Sequence, residues 1–106
     1  MSLKSVQKQV DTWTSQFKPQ YWKPHEILAR LIEEVGELGR EVNHLFGQKS
    51  KKSTEEKGDL ADEMADVIFT IFCLANSLNV DMDRAWVRMM RKYEQRDTRR
   101  KFRKTS

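Results

Sequence analysis

Helix breakers are scarce in this 106-residue chain, with only four glycines and two prolines, and both prolines (Pro19 and Pro24) precede its acidic segments. That scarcity argues against a turn-rich strand fold and for long helices. There is a single cysteine, Cys73, which excludes an intramolecular disulfide. Its place in the apolar run from Val67 to Ala75 marks it as a small buried hydrophobe in a reduced protein. No apolar run approaches the roughly 20 residues of a membrane span. No positively charged start leads into an apolar signal core, so the expectation is a cytoplasmic protein with no membrane partner. The length suits one domain spanning residues 1–106 with a single core.

Charge is abundant but unevenly spread. The formal net charge is +4, yet residues 26–66 carry eleven acids against six bases, and residues 81–106 carry ten bases against four acids. An acidic middle suits a cation and a basic end suits an anion, and a metal–phosphate complex supplies both. The basic stretch at 98–106 has a solvated tail as its default reading, with nucleic-acid attraction the sharper and less favoured one.

Apolar spacing predicts the elements. Leu3, Val6, Val10, Trp13 and Phe17 recur at three and four residues, predicting a first helix over 3–17. An aromatic turn, Gln20-Tyr21-Trp22-Lys23, leads to a long amphipathic helix over 24–46, with Pro24 in its first turn and Gly47 as its stop. Residues 48–54 read as a polar loop in which Ser53 or Thr54 could cap a third helix running to about Leu78. A turn at Asn79-Val80-Asp81 precedes a fourth helix over 82–96. The second half of the third helix is apolar almost all round, and so short a chain has too few partners to cover it. The expectation is therefore a second subunit completing the core.

Two acidic clusters stand out against this background, Glu33-Glu34-Val35-Gly36-Glu37 and Asp62-Glu63-Met64-Ala65-Asp66. Each places two carboxylates three residues apart on one helical face. Like charges so spaced weaken a helix slightly, and bare carboxylates beside apolar residues are costly. Gly36 and Gly39 each cost about 1 kcal/mol relative to alanine inside a helix, which predicts a close approach there. If the two helices lie side by side, four carboxylates converge, and magnesium or manganese fits such a set. Zinc is disfavoured because Cys73, His25 and His44 lack matching partners, and a di-iron bundle would want Glu-x-x-His on its helices. The residues alone leave a solvated acidic face equally open.

The run from Trp22 to Leu38, with its Glu33-Glu34-Val35-Gly36-Glu37-Leu38 core, resembles the first motif of the MazG-like nucleotide pyrophosphohydrolases. These all-α enzymes are related to dimeric dUTPases and dCTP pyrophosphatases. Glu63-Met64-Ala65-Asp66-Val67 is similar to their ExxD element, and the segment from Leu74 to Asp81 to its continuation. Lys92 and Arg96 resemble the family's downstream lysine and arginine. The likeness covers roughly residues 22–97 and looks nearest to small single-domain bacterial members of the YpjD type. Relatives often carry a Glu-Glu run before ExxD. Here Asp59-Leu60-Ala61-Asp62 stands instead, so a further metal ligand is left unassigned.

The resemblance implies an all-α, four-to-five-helix MazG-like bundle whose core is completed by homo-oligomerisation, as a homodimer or a dimer of dimers. It implies hydrolysis of nucleoside triphosphates between the α and β phosphates, in nucleotide house-cleaning. In that reading Glu34, Glu37, Glu63 and Asp66 hold Mg²⁺, with Mn²⁺ as an alternative. Glu33 orients or deprotonates water, Lys92 and Arg96 stabilise phosphate charge, and Trp22, His25 and Asn76 contact the nucleotide. Two readings compete: a helical adaptor that binds nucleic acid, which leaves the paired carboxylates unexplained, and a nucleotide-binding module without catalysis, against which the intact set Glu34, Glu37, Glu63 and Asp66 argues.

Overall fold

Residues 1–47 and 57–98 are described by the structure, a computed structural model, with side chains described over 59–96 in the second stretch. They form four helices: α1 (Leu3–Thr14), α2 (Pro24–Phe46), α3 (Lys57–Ser77) and α4 (Met82–Thr98). No strand occurs among the described residues. Ser53 and Thr54, and most of the basic tail, lie outside them. No single described helix is long and apolar enough to cross a membrane.

Local chemistry sets the helix ends. The backbone N–H of Ser5 donates to Ser2 Oγ at 3.0 Å, and Ser2 N–H donates back to Ser5 Oγ at 3.0 Å, closing the start of α1. That helix ends at Thr14, three residues short of the periodicity's reach. The Thr14 hydroxyl donates to the Val10 carbonyl and the Ser15 hydroxyl to that of Thr12, so these side chains compete with the helical ladder. Pro24 opens α2, where Glu26 Oε1 accepts the Lys23 N–H at 3.0 Å. Gly47 stops α2, because a Cβ there would collide with the Asn43 carbonyl.

The α3–α4 turn is a Schellman motif. Val80 N–H donates to the Ala75 carbonyl at 2.8 Å and Asn79 N–H to that of Asn76 at 3.2 Å, with Asn79 in the left-handed region at φ 56°. Asp81 then caps α4 by accepting the Arg84 N–H at 3.1 Å. The two helix axes diverge by 110° across this turn.

α2 and α3 form the main packed pair, and α1 lies against α3. The beginning of α2 (Ile27, Arg30) shares a cleft with the end of α3 (Thr70, Cys73), so the pair is antiparallel. α4 meets α1 instead of the α2–α3 pair's acidic side. Gln7, buried on α1, joins these parts. Its amide nitrogen donates to Asn76 Oδ1 at 3.1 Å and to the Val80 carbonyl at 2.8 Å, and its oxygen accepts the Met82 N–H at 2.9 Å.

Among the described residues the buried apolar core is small: Val10, Ile27, Phe72 and Ala75. As expected of so short a chain, the second half of α3 is not covered on all sides by its own helices. Ile68 is 50% exposed and Leu78 52%, while Ile32 on α2 reaches 64%. These residues belong to stripes, Leu28, Ile32, Val35 and Val42 on α2 and Met64, Ile68, Ile71 and Leu78 on α3. No part of the described chain makes the close approach expected at the α2 glycines, since a Cβ at Gly36 or Gly39 would meet nothing within 4 Å.

The left-handed conformation of Asn79 can be tested by substitution. Asn79→Val places a β-branched residue at positive φ and should lower stability by about 1–2 kcal/mol. Asn79→Gly should be neutral or slightly stabilising, as read from urea midpoints at fixed protein concentration.

Candidate functional site

Glu34 and Glu37 sit one helical turn apart on α2, and Glu63 faces them from α3. One carboxylate oxygen from each lies within 4.8 Å of the others. Glu34 is only 3% exposed. Its Oε1 accepts from Arg30 Nη2 at 2.8 Å, while its Oε2 and Glu63 Oε2 are buried with no hydrogen-bond partner. Two orphaned carboxylate oxygens aimed into an acidic cluster fit a hard divalent cation, which satisfies oxygen ligands and offsets their repulsion together.

The electrostatics follow from this crowding. Burial pushes the Glu34 pKa up; Arg30 pulls it down, and Glu37, Asp66 and Glu33 push it up again. Burial also raises Glu63, with Glu37, Asp66 and Glu34 adding to the rise. Both groups hold protons more tightly folded than unfolded. Their contribution to stability is therefore most favourable at low pH. It is lost as pH climbs from the ordinary value of 4.5 through each raised value.

An aromatic cleft of about 570 Å³ runs from this cluster. Its acidic end is lined by Glu34 and Asp66 with Arg30. Its walls come from α1, the following turn and α3: Trp13, Phe17, Tyr21, Trp22 and Phe69. Trp13 meets Phe17 edge-on at 4.9 Å between centroids and Phe69 at 5.8 Å. The turn is tied down by Tyr21, whose hydroxyl donates to Asp11 Oδ1 at 2.6 Å and accepts from Asn76 Nδ2 at 3.0 Å. Burial, then the Asp11 carboxylate, raises the Tyr21 pKa, so the phenol keeps its proton. Half-buried Cys73 also lines the cleft, and burial pushes its thiol up.

The structure thus unites some expected residues and separates others. Glu34, Glu37 and Glu63 converge. Asp66 lines the cleft and its charge reaches both Glu34 and Glu63, but it stands outside the three converging oxygens. Glu33 is exposed and lies 3.5 Å from Arg30 Nη1, off the cleft lining. Trp22 lines the cleft; exposed His25 does not. The Asn76 amide is engaged by Gln7 and Tyr21, outside the lining. Lys92 and Arg96 are carried away on α4 by the 110° turn and do not line the cleft of their own chain. Trp13, Phe17, Phe69 and Arg30 were not singled out by the motifs. Four aromatics between residues 13 and 22, just ahead of an acidic helix, were the available signal.

The pattern of the MazG nucleotide pyrophosphohydrolase domain matches residues 22–101, most of the chain. The chain belongs to the MazG nucleotide pyrophosphohydrolase family. It is 46% identical to the uncharacterized protein YpjD of Bacillus subtilis over 103 residues, covering 97% of this chain and 93% of that protein. The crystal structure of Bacillus subtilis YpjD superposes with a TM-score of 0.82 at 45% identity, covering 88% of this chain and 95% of that one. The Bacillus-conserved MazG protein, a nucleotide pyrophosphohydrolase, superposes at 0.77 with 41% identity, covering 88% and 90%. MazG membership supports nucleotide pyrophosphatase activity and a metal-dependent site, for which the acidic cluster supplies donors.

Charge repulsion at Glu63 is directly measurable. In chelator, Glu63→Gln should raise the melting temperature at pH 8 and leave it nearly unchanged at pH 4, where the carboxyl is protonated in both states. Adding a divalent cation should reverse the gain. A variant less stable than wild type at pH 8 in chelator would contradict the assignment.

Proposed function

We propose that this chain is a magnesium-dependent nucleoside triphosphate pyrophosphohydrolase, cleaving between the α and β phosphates to give monophosphate and pyrophosphate. The observation that carries this reading is the meeting of Glu34, Glu37 and Glu63 at one end of an aromatic cleft. Asp66, beside them on the cleft wall, completes the proposed ligand set. Mg²⁺ held there, or Mn²⁺ in its place, would neutralise phosphate charge and make bound water a better nucleophile. Trp22, with Trp13 and Phe69, offers faces for the base, and the carboxylates fix which end of the nucleotide lies at the reacting centre. Glu33, next to Glu34 on the chain and tied to the same arginine, is the candidate to orient the attacking water. His25 at the start of α2 and Asn76 behind Tyr21 remain candidates for nucleotide contact and cleft support, respectively.

The active form in this reading is a homodimer or dimer of dimers. Exposed apolar stripes on α2 and α3 support it, because a lone soluble chain rarely leaves such faces open. Lys92 and Arg96, remote from their own cleft, would then serve as phosphate-stabilising groups in the assembled protein. Light scattering should report a dimer or larger, and Ile68→Glu should shift the population toward monomer.

The activity test is pyrophosphate release from a panel of ribo-, deoxyribo- and oxidised nucleoside triphosphates, with magnesium and with chelator. Wild type should release pyrophosphate and monophosphate together only with magnesium. Glu37→Ala and Asp66→Ala should abolish turnover and keep the helical spectrum. Binding of nucleotide without product would favour a non-catalytic binding module. Steeply salt-dependent DNA or RNA binding that needs no magnesium would favour a nucleic-acid adaptor.

A further inference from the structure

Arg30 occupies an unusual place for a residue outside both acidic motifs. It lies one turn before Glu34 on α2, with one guanidinium nitrogen 2.8 Å from Glu34 Oε1 and the other 3.5 Å from Glu33 Oε2. Glu34 is almost fully buried, but the Arg30 side chain is 53% exposed and lines the cleft. Among the described residues, the other cation on that lining is Lys18, on the turn that carries the aromatic wall. Arg30 is therefore the cation at the acidic end, where the phosphates of a bound nucleotide would have to lie.

Its present partner, Glu34 Oε1, shares a carboxylate with the orphaned Oε2 that is open to a metal. A divalent cation and a guanidinium on the same carboxylate repel each other, and the cation carries the larger charge. A guanidinium has five donors in a planar fork that fits phosphate as well as carboxylate. A nucleotide entering the cleft offers such an anion beside Arg30.

We propose that Arg30 is the phosphate-binding cation this chain supplies to its own cleft, and that its ion pair with Glu34 is a resting contact given up when a divalent cation takes the carboxylate. This rests on the metal and nucleotide reading above. It assigns substrate binding to a residue of α2, independently of Lys92 and Arg96 on α4. Exchange of one anionic partner for another keeps the arginine paired in both states. It also keeps the buried Glu34 carboxylate compensated, first by the arginine and then by the metal.

The test separates the two roles Arg30 could have. Mn²⁺ is titrated into wild type, Arg30→Gln and Arg30→Lys without nucleotide and followed by electron paramagnetic resonance. An α,β-methylene nucleoside triphosphate is then titrated calorimetrically at saturating Mn²⁺. Arg30→Gln should bind Mn²⁺ at least as tightly as wild type, since a competing cation has been removed. It should bind the analogue about 10- to 100-fold more weakly, the loss expected for a hydrogen bond to a charged group. Arg30→Lys should recover part of that loss, and thermal melts should show both variants folded. Unchanged analogue affinity in Arg30→Gln would overturn the proposal. So would a weakening of Mn²⁺ binding that matches the loss of analogue, because Arg30 would then act only by positioning Glu34. Wild type that binds neither Mn²⁺ nor analogue would overturn the underlying metal and nucleotide reading, and this proposal with it.

Discussion

A buried carboxylate surrounded by other carboxylates is the constraint around which this protein is arranged. Glu34 sits almost out of solvent with Glu37, Glu63 and Asp66 as its electrostatic neighbours and Arg30 on one oxygen. An isolated helix gains nothing from such a residue, and a small core gains less, because an uncompensated buried charge is expensive. Its cost makes sense where stability is given up for a binding centre. The antiparallel α2–α3 pair holds the centre rigidly, since the carboxylates stand on helices and not on loops.

The remaining parts serve that pair. α1 and the turn after it contribute the aromatic wall, and hydrogen bonds running from Gln7 through Asn76 and Tyr21 to Asp11 fix that wall against the end of α3. The same Gln7 holds the first backbone N–H of α4, so the cleft and the departure of α4 share one anchor. A part-buried side-chain network of this kind favours one arrangement, because its amides and hydroxyls are satisfied together there.

Much of the architecture could be read from the residues. The bounds of α2 follow from Pro24 and Gly47, and the Asn79 turn from the break in apolar period, because these are local effects. The end of α1 was overrun because Trp13 and Phe17 keep helical spacing after the backbone has turned; they remain in edge-on contact although Phe17 lies outside the helix. The carboxylates of Glu34, Glu37 and Glu63 were legible because both motifs share one helical period. Arg30 was not, since a lone arginine on a charged helix carries no pattern. Nor could spacing place Lys92 and Arg96, whose position depends on a 110° change of direction set by a single left-handed residue. The glycines at 36 and 39 were read as sites of close approach, yet both face open space within this chain.

The claim on which everything else depends is that Glu34, Glu37 and Glu63 hold a divalent cation. Anomalous diffraction from a crystal grown with Mn²⁺ tests it most directly. A manganese peak is expected among the carboxylate oxygens of those three residues, with Asp66 at its edge and Arg30 turned from Glu34 into the cleft. A crystal with the same ion bound elsewhere, or with Arg30 still on Glu34 and no peak among the three carboxylates, would contradict it.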